Sequence, residues 1–258
     1  MENKASFGIL SGSDMKLVAC VLMAIDHIGL ILFPDIILFR IIGRLAFPLF
    51  AYFIAEGCRY TKSRLRHFLT VFAMGAVYLL FYLIYAGVLY GSIFLTFSVS
   101  ILFIYLLDFL KGYVIKSPTL PRVVLSVLIL TASLAAAYAL FSLVSFDYGF
   151  FGMLCPVMAG LFDPPCGTEI RLPRALSSRA ARIILLGICL IPICIANKQG
   201  TFPLFGLTVP TQYVCLLALP LLFLYNGKAG NKRLKYFFYI FYPVHLCILE
   251  LIAMICKA

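Results

Sequence analysis

The chain has 258 residues, of which 64% are hydrophobic and only 12% are charged. Its mean hydropathy is +1.07, whereas an average soluble domain is roughly half apolar and a quarter charged. This composition excludes an ordinary soluble domain and predicts an integral membrane protein. The net charge of +11 does not indicate a nucleic-acid partner, because the cations follow the predicted membrane topology.

Nine apolar runs approach the length of about 17 to 25 residues that a spanning helix needs. The runs are continuous and lack two-residue alternation, which favours helices over a barrel. We therefore predict an all-α fold: one integral-membrane domain over residues 1–258, built as a polytopic bundle of about nine transmembrane helices. The predicted spans are 15–33, 36–57, 68–90, 93–110, 123–145, 148–162, 182–196, 211–225 and 236–255.

The positive-inside rule tests this number of helices, because one helix more or fewer would place a basic loop on the wrong side. The opposite side carries only Lys198 and Lys257, and two more cations, Arg40 and Arg44, lie within the second span. We predict a cytoplasmic N-terminus and an extracytoplasmic C-terminus. Of the 21 Lys and Arg residues, 17 lie at the N-terminus or in alternate loops: Lys4, Lys16, Arg59, Lys62, Arg64, Arg66, Lys111, Lys116, Arg122, Arg171, Arg174, Arg179, Arg182, Lys228, Lys232, Arg233 and Lys235.

Ionisable side chains lie within the first two spans, where lipid-embedded charge is costly and is typically functional. Counting 1.5 Å per helical residue places His27 about 16 Å from the inner end of its helix and Arg44 about 12 Å below the outer end of the next. Asp26, His27 and Arg44 therefore share one level. An Asp26 to Arg44 ion pair is one expectation, and Arg40 is shallow enough to reach the outer interface instead.

The last span carries His245, about 13 to 14 Å from its inner end, and Pro243 removes a backbone hydrogen bond beside it. We expect this histidine to join the site near the midplane. Glu56 lies at the inner end of the second span, where it also has the option of pairing with the basic loop that follows. His27, His245 and Asp26 offer a two-His, one-carboxylate metal set, but the metal-ligand spacings of known motifs are absent, so acid–base chemistry is favoured and no metal is expected.

Several stretches together resemble a known family, and the resemblance covers residues 16–249. The chain is similar to the TraX family, whose namesake acetylates the N-terminus of a conjugative pilin, and more distantly to the acyltransferase-three superfamily of membrane O-acetyltransferases. The stretches are Met23-x-x-Asp26-His27, Gly43-Arg44-x-x-Phe47-Pro48, Asp147-Tyr148-Gly149 and Tyr242-Pro243-x-His245.

The resemblance implies transfer of an acetyl group from cytoplasmic acetyl-CoA, a co-substrate, to an acceptor on the outer side. His27 matches the essential first-helix histidine of the superfamily, and we expect it to act as general base, or alternatively as a transient acetyl carrier. Asp26 would orient His27 or neutralise Arg44, while Arg44 or His245 would stabilise the thioester oxygen. The expected CoA-binding residues are Arg40, Arg59, Lys62, Arg64, Arg66 and Tyr242, and the expected acceptor-binding residues are Glu56, Tyr239 and Asp147.

The acceptor is left open among an envelope glycan, a lipid and a pilin N-terminus, with a glycan or lipid hydroxyl favoured. Besides acetyl-CoA and the acceptor, the bilayer itself is the expected partner; the expected location is the cytoplasmic membrane of a bacterium. The main alternative is a proton-coupled transporter in which His27, Asp26 and His245 form a relay. The lack of internal symmetry argues against a transporter. The oligomeric state stays undetermined.

Overall fold

The computed structural model describes residues 8–164, 175–196, 200–204, 206–231 and 233–257, apart from the side chains at 85, 86, 204, 235, 236, 239 and 257. Within these ranges the chain is mostly helical, and each of the nine predicted spans overlaps helical structure. The α-helices are α1 Gly12–Ile31, α2 Ile37–Gly43, α3 Ala46–Tyr60, α4 Arg64–Ala86, α5 Ile93–Lys116, α6 Leu120–Leu143, α7 Gly149–Ala159, α8 Arg179–Ala196, α9 Ala218–Phe223 and α10 Leu234–Lys257. A 3₁₀ helix, Thr211–Leu217, leads into α9.

Five stretches of the described chain are long and apolar enough to cross a membrane. These stretches give the chain the makeup of a membrane protein. The number of spans and the sides on which the termini lie stay predictions. The five stretches are Ile37–Tyr60, Arg64–Ile84, Ile93–Lys116, Leu120–Leu143 and Arg179–Ala196.

Two short strand pairs were not predicted. Strands β1 Tyr90–Gly91 and β2 Ser145–Phe146 pair in parallel, and β3 Thr201–Leu204 pairs with β4 Leu207–Pro210 as an antiparallel hairpin. Apolar periodicity does not report such pairs, because they are only two to four residues long. They supply backbone hydrogen bonds where the chain leaves its helices.

The structure forms two compact units. The terminal unit comprises Met1–Phe53 and Leu190–Ala258, and the central unit comprises Ile54–Cys189. The terminal unit thus contains both ends of the chain. The single membrane domain predicted over the whole chain stays a prediction.

In the terminal unit, α1 begins against the loop that precedes α10. Ser11 caps the helix reciprocally with Asp14, so two of the free amides at the helix start are satisfied. The backbone amides of Gly12 and Ser13 donate to the carbonyls of Lys228 at 2.8 Å and Ala229 at 3.1 Å. The start of the first helix is therefore fastened to the loop before the last one.

The second predicted span is interrupted. α2 ends at Gly43 and α3 begins at Ala46, with Arg44 and Leu45 in the turn between them. Pro48 explains the break, because it has no amide proton to donate to the carbonyl four residues earlier and its ring crowds that carbonyl. The carbonyl in question belongs to Arg44. The break therefore places this arginine at a helix discontinuity.

Glycines allow α1 and α2 to approach closely, as small residues do in membrane helix pairs. A Cβ atom added at Gly43 would lie 2.2 Å from Cβ of Asp26, and one added at Gly29 would lie 2.3 Å from Cβ of Phe39. Neither neighbour can move away without shifting its helix. Gly43 therefore fixes the distance between the two helices at the level of Asp26.

The central unit packs α5 against α7 and α6. Its core contains Phe103, Ala137, Met153 and Val157. The Ser100 hydroxyl is buried and donates to the Met153 carbonyl at 2.7 Å, joining α5 to α7. α6 leaves most of its apolar side chains exposed, as expected for a helix that faces lipid.

We expect Gly43→Ala to lower the stability of the folded protein by roughly 1 to 3 kcal/mol, because the added methyl group overpacks the contact with Asp26. Thermal unfolding of the purified protein in detergent measures this loss. Gly160→Ala is the matched control, since its Cβ would meet its nearest neighbours at an ordinary 3.6 Å. Equal stability of the two variants would contradict the close packing of α1 on α2.

Candidate functional site

The two histidines of the predicted membrane site meet in the terminal unit. Nδ1 of His27 on α1 lies 2.9 Å from Nε2 of His245 on α10. Tyr242, one helical turn before His245, presents its ring edge to His27 with centroids 6.2 Å apart. The two imidazoles therefore meet as expected, while their role as a functional site stays a prediction.

The hydrogen bonds define which nitrogen is basic. Nδ1 of His245 lies 2.8 Å from the carbonyl oxygen of Phe241; a carbonyl only accepts, so this nitrogen carries the proton. Nε2 of neutral His245 is then an acceptor, and it receives the Nδ1 proton of His27. Nε2 of His27 consequently keeps its lone pair. We assign this tautomer from the hydrogen-bond network.

Asp26 pairs with a different arginine from the one expected. Its Oδ2 lies 2.6 Å from Nη1 of Arg40, and no ion pair joins it to Arg44 within the described residues. The expected Asp26 to Arg44 pair is therefore wrong, and the position of Arg40 relative to the outer interface stays a prediction. Asp26 also does not orient His27, because that role falls to His245 through the hydrogen bond already described.

Arg44 is buried, with 7% of its surface exposed. Its Nε has no hydrogen-bond partner among the described residues. The guanidinium acts electrostatically on Asp26 and on Cys215 of the 3₁₀ helix. The thiol of Cys215 in turn lies 3.6 Å from that of Cys194. The unpartnered Nε–H of Arg44 can donate to a negatively charged or carbonyl oxygen.

The two predicted tyrosines of α10 differ in what the structure describes. Tyr242 is buried, with 4% of its surface exposed, and it lies beside His245 with ring centroids 5.6 Å apart. The side chain of Tyr239 lies outside the described residues. Tyr242 therefore packs against both histidines.

Glu56, an expected acceptor-binding residue, takes part in a buried ion cluster of the central unit. Oε1 of Glu56 lies 3.1 Å from Nη1 of Arg182. Its ion-pair partner is therefore on α8 and not in the basic loop after the second predicted span. Arg182 also approaches Asp163 at 3.6 Å and donates from Nε to the Ala159 carbonyl at 2.9 Å. Arg59 reaches Asp163 at 3.3 Å. These contacts join α3, α7 and α8 within this unit.

Asp163 lies outside the predicted membrane spans, in the segment after α7. Burial raises the pKa of its carboxyl group, and the charges of Arg182, Arg59 and Lys111 oppose that change. Lys111 donates to the carbonyl of Leu161 and lies 3.2 Å from that of Asp163. This cluster therefore ties the end of α5 to the same segment.

The other cations of the basic loop divide into two kinds. Arg64 pairs with Asp108 of α5, whereas Lys62 and Arg66 are exposed. The guanidinium groups of Arg59 and Arg64 are thus already close to carboxylates. Their expected role in binding the CoA phosphates stays a prediction.

Asp147, the third expected acceptor-binding residue, holds the start of α5. Its Oδ1 accepts from the Tyr90 hydroxyl and its Oδ2 from the Ile93 amide at 3.1 Å. The Thr96 hydroxyl donates to its backbone carbonyl at 3.0 Å. The contacts described for Asp147 are all within the central unit and satisfy a helix N-terminus.

Sequence reasoning missed the partners of these charged groups. Asp108 and Asp163 were not singled out in the sequence, and Arg182 was counted only among the cations of the basic loops, although each is paired in the structure. The sequence signal that could have indicated these ion pairs is a carboxylate near the inner end of an apolar run, on the same side as several cations. Across the described part of the chain, no group of three or more His, Cys, Asp or Glu residues is placed to hold a metal ion.

The fold and the site define a helical protein with membrane-spanning character and a polar histidine pair among apolar helices. The model of the family described as TraX protein matches residues 11–253. The chain therefore belongs to the TraX family. Its membership of the wider acyltransferase-three superfamily stays a prediction.

Two relatives extend the comparison. The chain is 25% identical over 249 residues to a probable fimbrial assembly protein, FimC of serogroup H1, from Dichelobacter nodosus; the match covers 93% of this chain and 94% of the relative. It is 40% identical over 65 residues to an uncharacterized protein of Rickettsia prowazekii (strain Madrid E), covering 25% of this chain and 24% of that one. No solved structure matches the chain.

We expect Asp26→Asn and Arg40→Gln each to destabilise the protein, because either change leaves a partly buried charge without its partner. The double variant should lose less than the sum of the two, with a coupling energy of roughly 0.5 to 3 kcal/mol. Thermal or chemical unfolding in detergent of all four proteins measures the cycle. Strict additivity would show that the pair contributes nothing.

In the central unit, Arg182→Met should cost about 3 to 5 kcal/mol, because it leaves the buried carboxylates of Glu56 and Asp163 without their shared cation. Arg66→Met is the matched control, since Arg66 is exposed, and it should change stability by less than about 0.5 kcal/mol. Both are measured by the same unfolding assay. A similar loss in the two variants would argue against the ion cluster.

Proposed function

We propose that this protein is an acetyl-CoA-dependent acyltransferase of a bacterial cytoplasmic membrane. It moves an acetyl group from cytoplasmic acetyl-CoA to an amine or hydroxyl on the outer side. The observation that carries the proposal is the chain from His27 to His245 to the Phe241 carbonyl, which leaves Nε2 of His27 as a directed base. Membership of the TraX family supports it.

The chemistry follows from the tautomers. Nε2 of His27 takes the proton of the attacking amine or hydroxyl as the new bond to the thioester carbon forms. The carbon–sulfur bond then breaks, and the CoA thiolate takes that proton from His27. While His27 is charged, Nε2 of His245 accepts from its Nδ1 and stabilises the imidazolium, as an acceptor behind a catalytic histidine does in hydrolases.

Negative charge develops on the thioester oxygen during this attack, and a fixed cation lowers its energy. Arg44 is suited to this role, because it is buried and its Nε has no partner among the described residues. Arg40 is less suited, since Asp26 already holds it at 2.6 Å. We therefore assign the oxygen-stabilising role to Arg44 and leave His245 the positioning of His27.

The choice of acceptor rests more on the related proteins than on the residues of this chain. Sequence alone favoured a glycan or lipid hydroxyl, but the relative that matches nearly the whole chain is described as a probable fimbrial assembly protein. Together with the family resemblance, this favours a fimbrial or pilus subunit as the acceptor. The base His27 suits the amine of such a subunit as well as a hydroxyl.

The transporter alternative would need a proton path that continues beyond the histidine pair. In the described residues the path ends at the Phe241 carbonyl, which cannot carry a proton onward. Asp26, the third member of the supposed relay, is engaged with Arg40. The geometry therefore favours local acid–base chemistry over a relay.

Labelled acetyl-CoA incubated with the purified protein and an envelope extract tests the proposal. We expect labelled product with the wild type and a loss of roughly a hundredfold to ten-thousandfold with His27→Ala, the range for removal of a general base. His245→Ala should lose less, because His27 keeps its lone pair but loses its orientation. Arg44→Met should lower kcat more than it raises the KM for acetyl-CoA.

Ile248→Ala is the control for changes in α10, since Ile248 is exposed on the same helix as His245, and it should keep full activity. All variants must first show wild-type unfolding temperatures. No transfer to any extract, with no binding of acetyl-CoA, would refute the enzyme reading. Undiminished transfer by His27→Ala would refute the assigned base.

A further inference from the structure

Two buried thiols meet in the terminal unit, and the proposed reaction uses neither. Sγ of Cys194 on α8 lies 3.6 Å from Sγ of Cys215 in the 3₁₀ helix. Cys194 has 1% of its surface exposed and Cys215 has 0%. The Cys194 thiol also donates to the Gln212 carbonyl at 3.6 Å. The structure holds both cysteines as free thiols, in contact with each other.

The two sulfur atoms are close enough for a disulfide bond. At 3.6 Å they are about 1.5 Å farther apart than bonded sulfur atoms. The backbone already holds their segments together, because the chain between them contains the β3–β4 hairpin. At the base of this hairpin the Thr211 amide donates to the Gly200 carbonyl at 3.0 Å. Joining the sulfur atoms therefore needs only a small local movement.

The predicted topology places this pair where disulfides persist. α8 is expected to run outward, and Cys194 lies two residues before its end at Ala196. The outer side of a bacterial cytoplasmic membrane is the periplasm, where disulfides form, whereas cytosolic thiols are kept reduced. Cys189 on the same helix lies about 7.5 Å farther from this end. The compartment therefore favours oxidation of the outer pair.

Burial limits when the reaction can take place. Buried thiols ionise poorly and are shielded from reagents, and the thiolate is the attacking species. The Arg44 guanidinium acts electrostatically on Cys215, and a nearby cation favours a thiolate. The two cysteines are 21 residues apart, so they can meet through a short loop before the terminal unit is fully packed. We expect oxidation during assembly and not in the finished fold.

We propose that Cys194 and Cys215 form a disulfide at the outer end of α8, which joins this helix to the 3₁₀ helix. The oxidant is a disulfide of the periplasm, carried by a small molecule or by a protein. The thiolate of one cysteine attacks it and forms a mixed disulfide, releasing one thiolate; the second cysteine then attacks the mixed disulfide and releases the other. The oxidant gains two electrons and the two cysteine protons, and leaves as two thiols. The other interpretation is that both thiols only fill space in an apolar core.

Protein taken directly from bacterial membranes tests the bond. The membranes are dissolved in denaturant with excess N-ethylmaleimide, which caps every remaining thiol, and the protein is digested without reduction for mass spectrometry. We expect one pair of peptides joined through Cys194 and Cys215. Cys189, the matched control on the same helix, should be capped by the reagent. Capping of both Cys194 and Cys215 would overturn the proposal.

The unfolding temperature in detergent, with and without dithiothreitol, measures what the bond does. We expect the reductant to lower this temperature by roughly 4 to 12 °C for the wild type and for the control Cys189→Ser, because it reopens a loop closed across 21 residues. It should leave Cys194→Ser and Cys215→Ser unchanged, since neither can form the bond. A wild type that does not respond, or an equal response of all four proteins, would overturn the proposal. If the serine variants fail to fold, the peptide map of the wild type decides.

Discussion

The hydrogen bond between His27 and His245 is the interaction on which the candidate site depends. Two neutral imidazoles in contact can hold their protons in either direction unless a third group fixes it, and the Phe241 carbonyl does so. One backbone oxygen thereby leaves Nε2 of His27 as the nitrogen that keeps a lone pair. The aromatic rings of α10 hold this geometry, since Phe241 stacks on His245 with centroids 4.8 Å apart.

A second polar contact in the terminal unit is the ion pair between Asp26 and Arg40. Asp26 and Arg40 neutralise each other between α1 and α2, at a level where Gly43 lets the helices approach. Arg44, whose Nε has no hydrogen-bond partner among the described residues, lies where Pro48 interrupts the helix. Discontinuous helices in membrane proteins commonly present their ends to ligands. A buried cation with an unpartnered nitrogen at such a break would suit the developing oxyanion of the proposed acyl transfer.

Sequence patterns were sufficient for the helices and for the meeting of the two histidines, because apolar length and intramembrane ionisable groups are strong signals. They failed on the partner of Asp26, since the depth of Arg44 was counted along an unbroken helix and the break before Pro48 was not considered. They also failed on the cluster around Arg182. Its members lie far apart in the chain, and nothing local in a sequence reports such pairing.

The two polar contacts of the terminal unit form at different stages of synthesis. Asp26 and Arg40 are only 14 residues apart, so their charges can neutralise each other as soon as α1 and α2 have been synthesised. His27 must wait for His245, which is made 218 residues later. A chain truncated before α10 would therefore keep the contact between Asp26 and Arg40 but lack the partner that fixes the tautomer of His27.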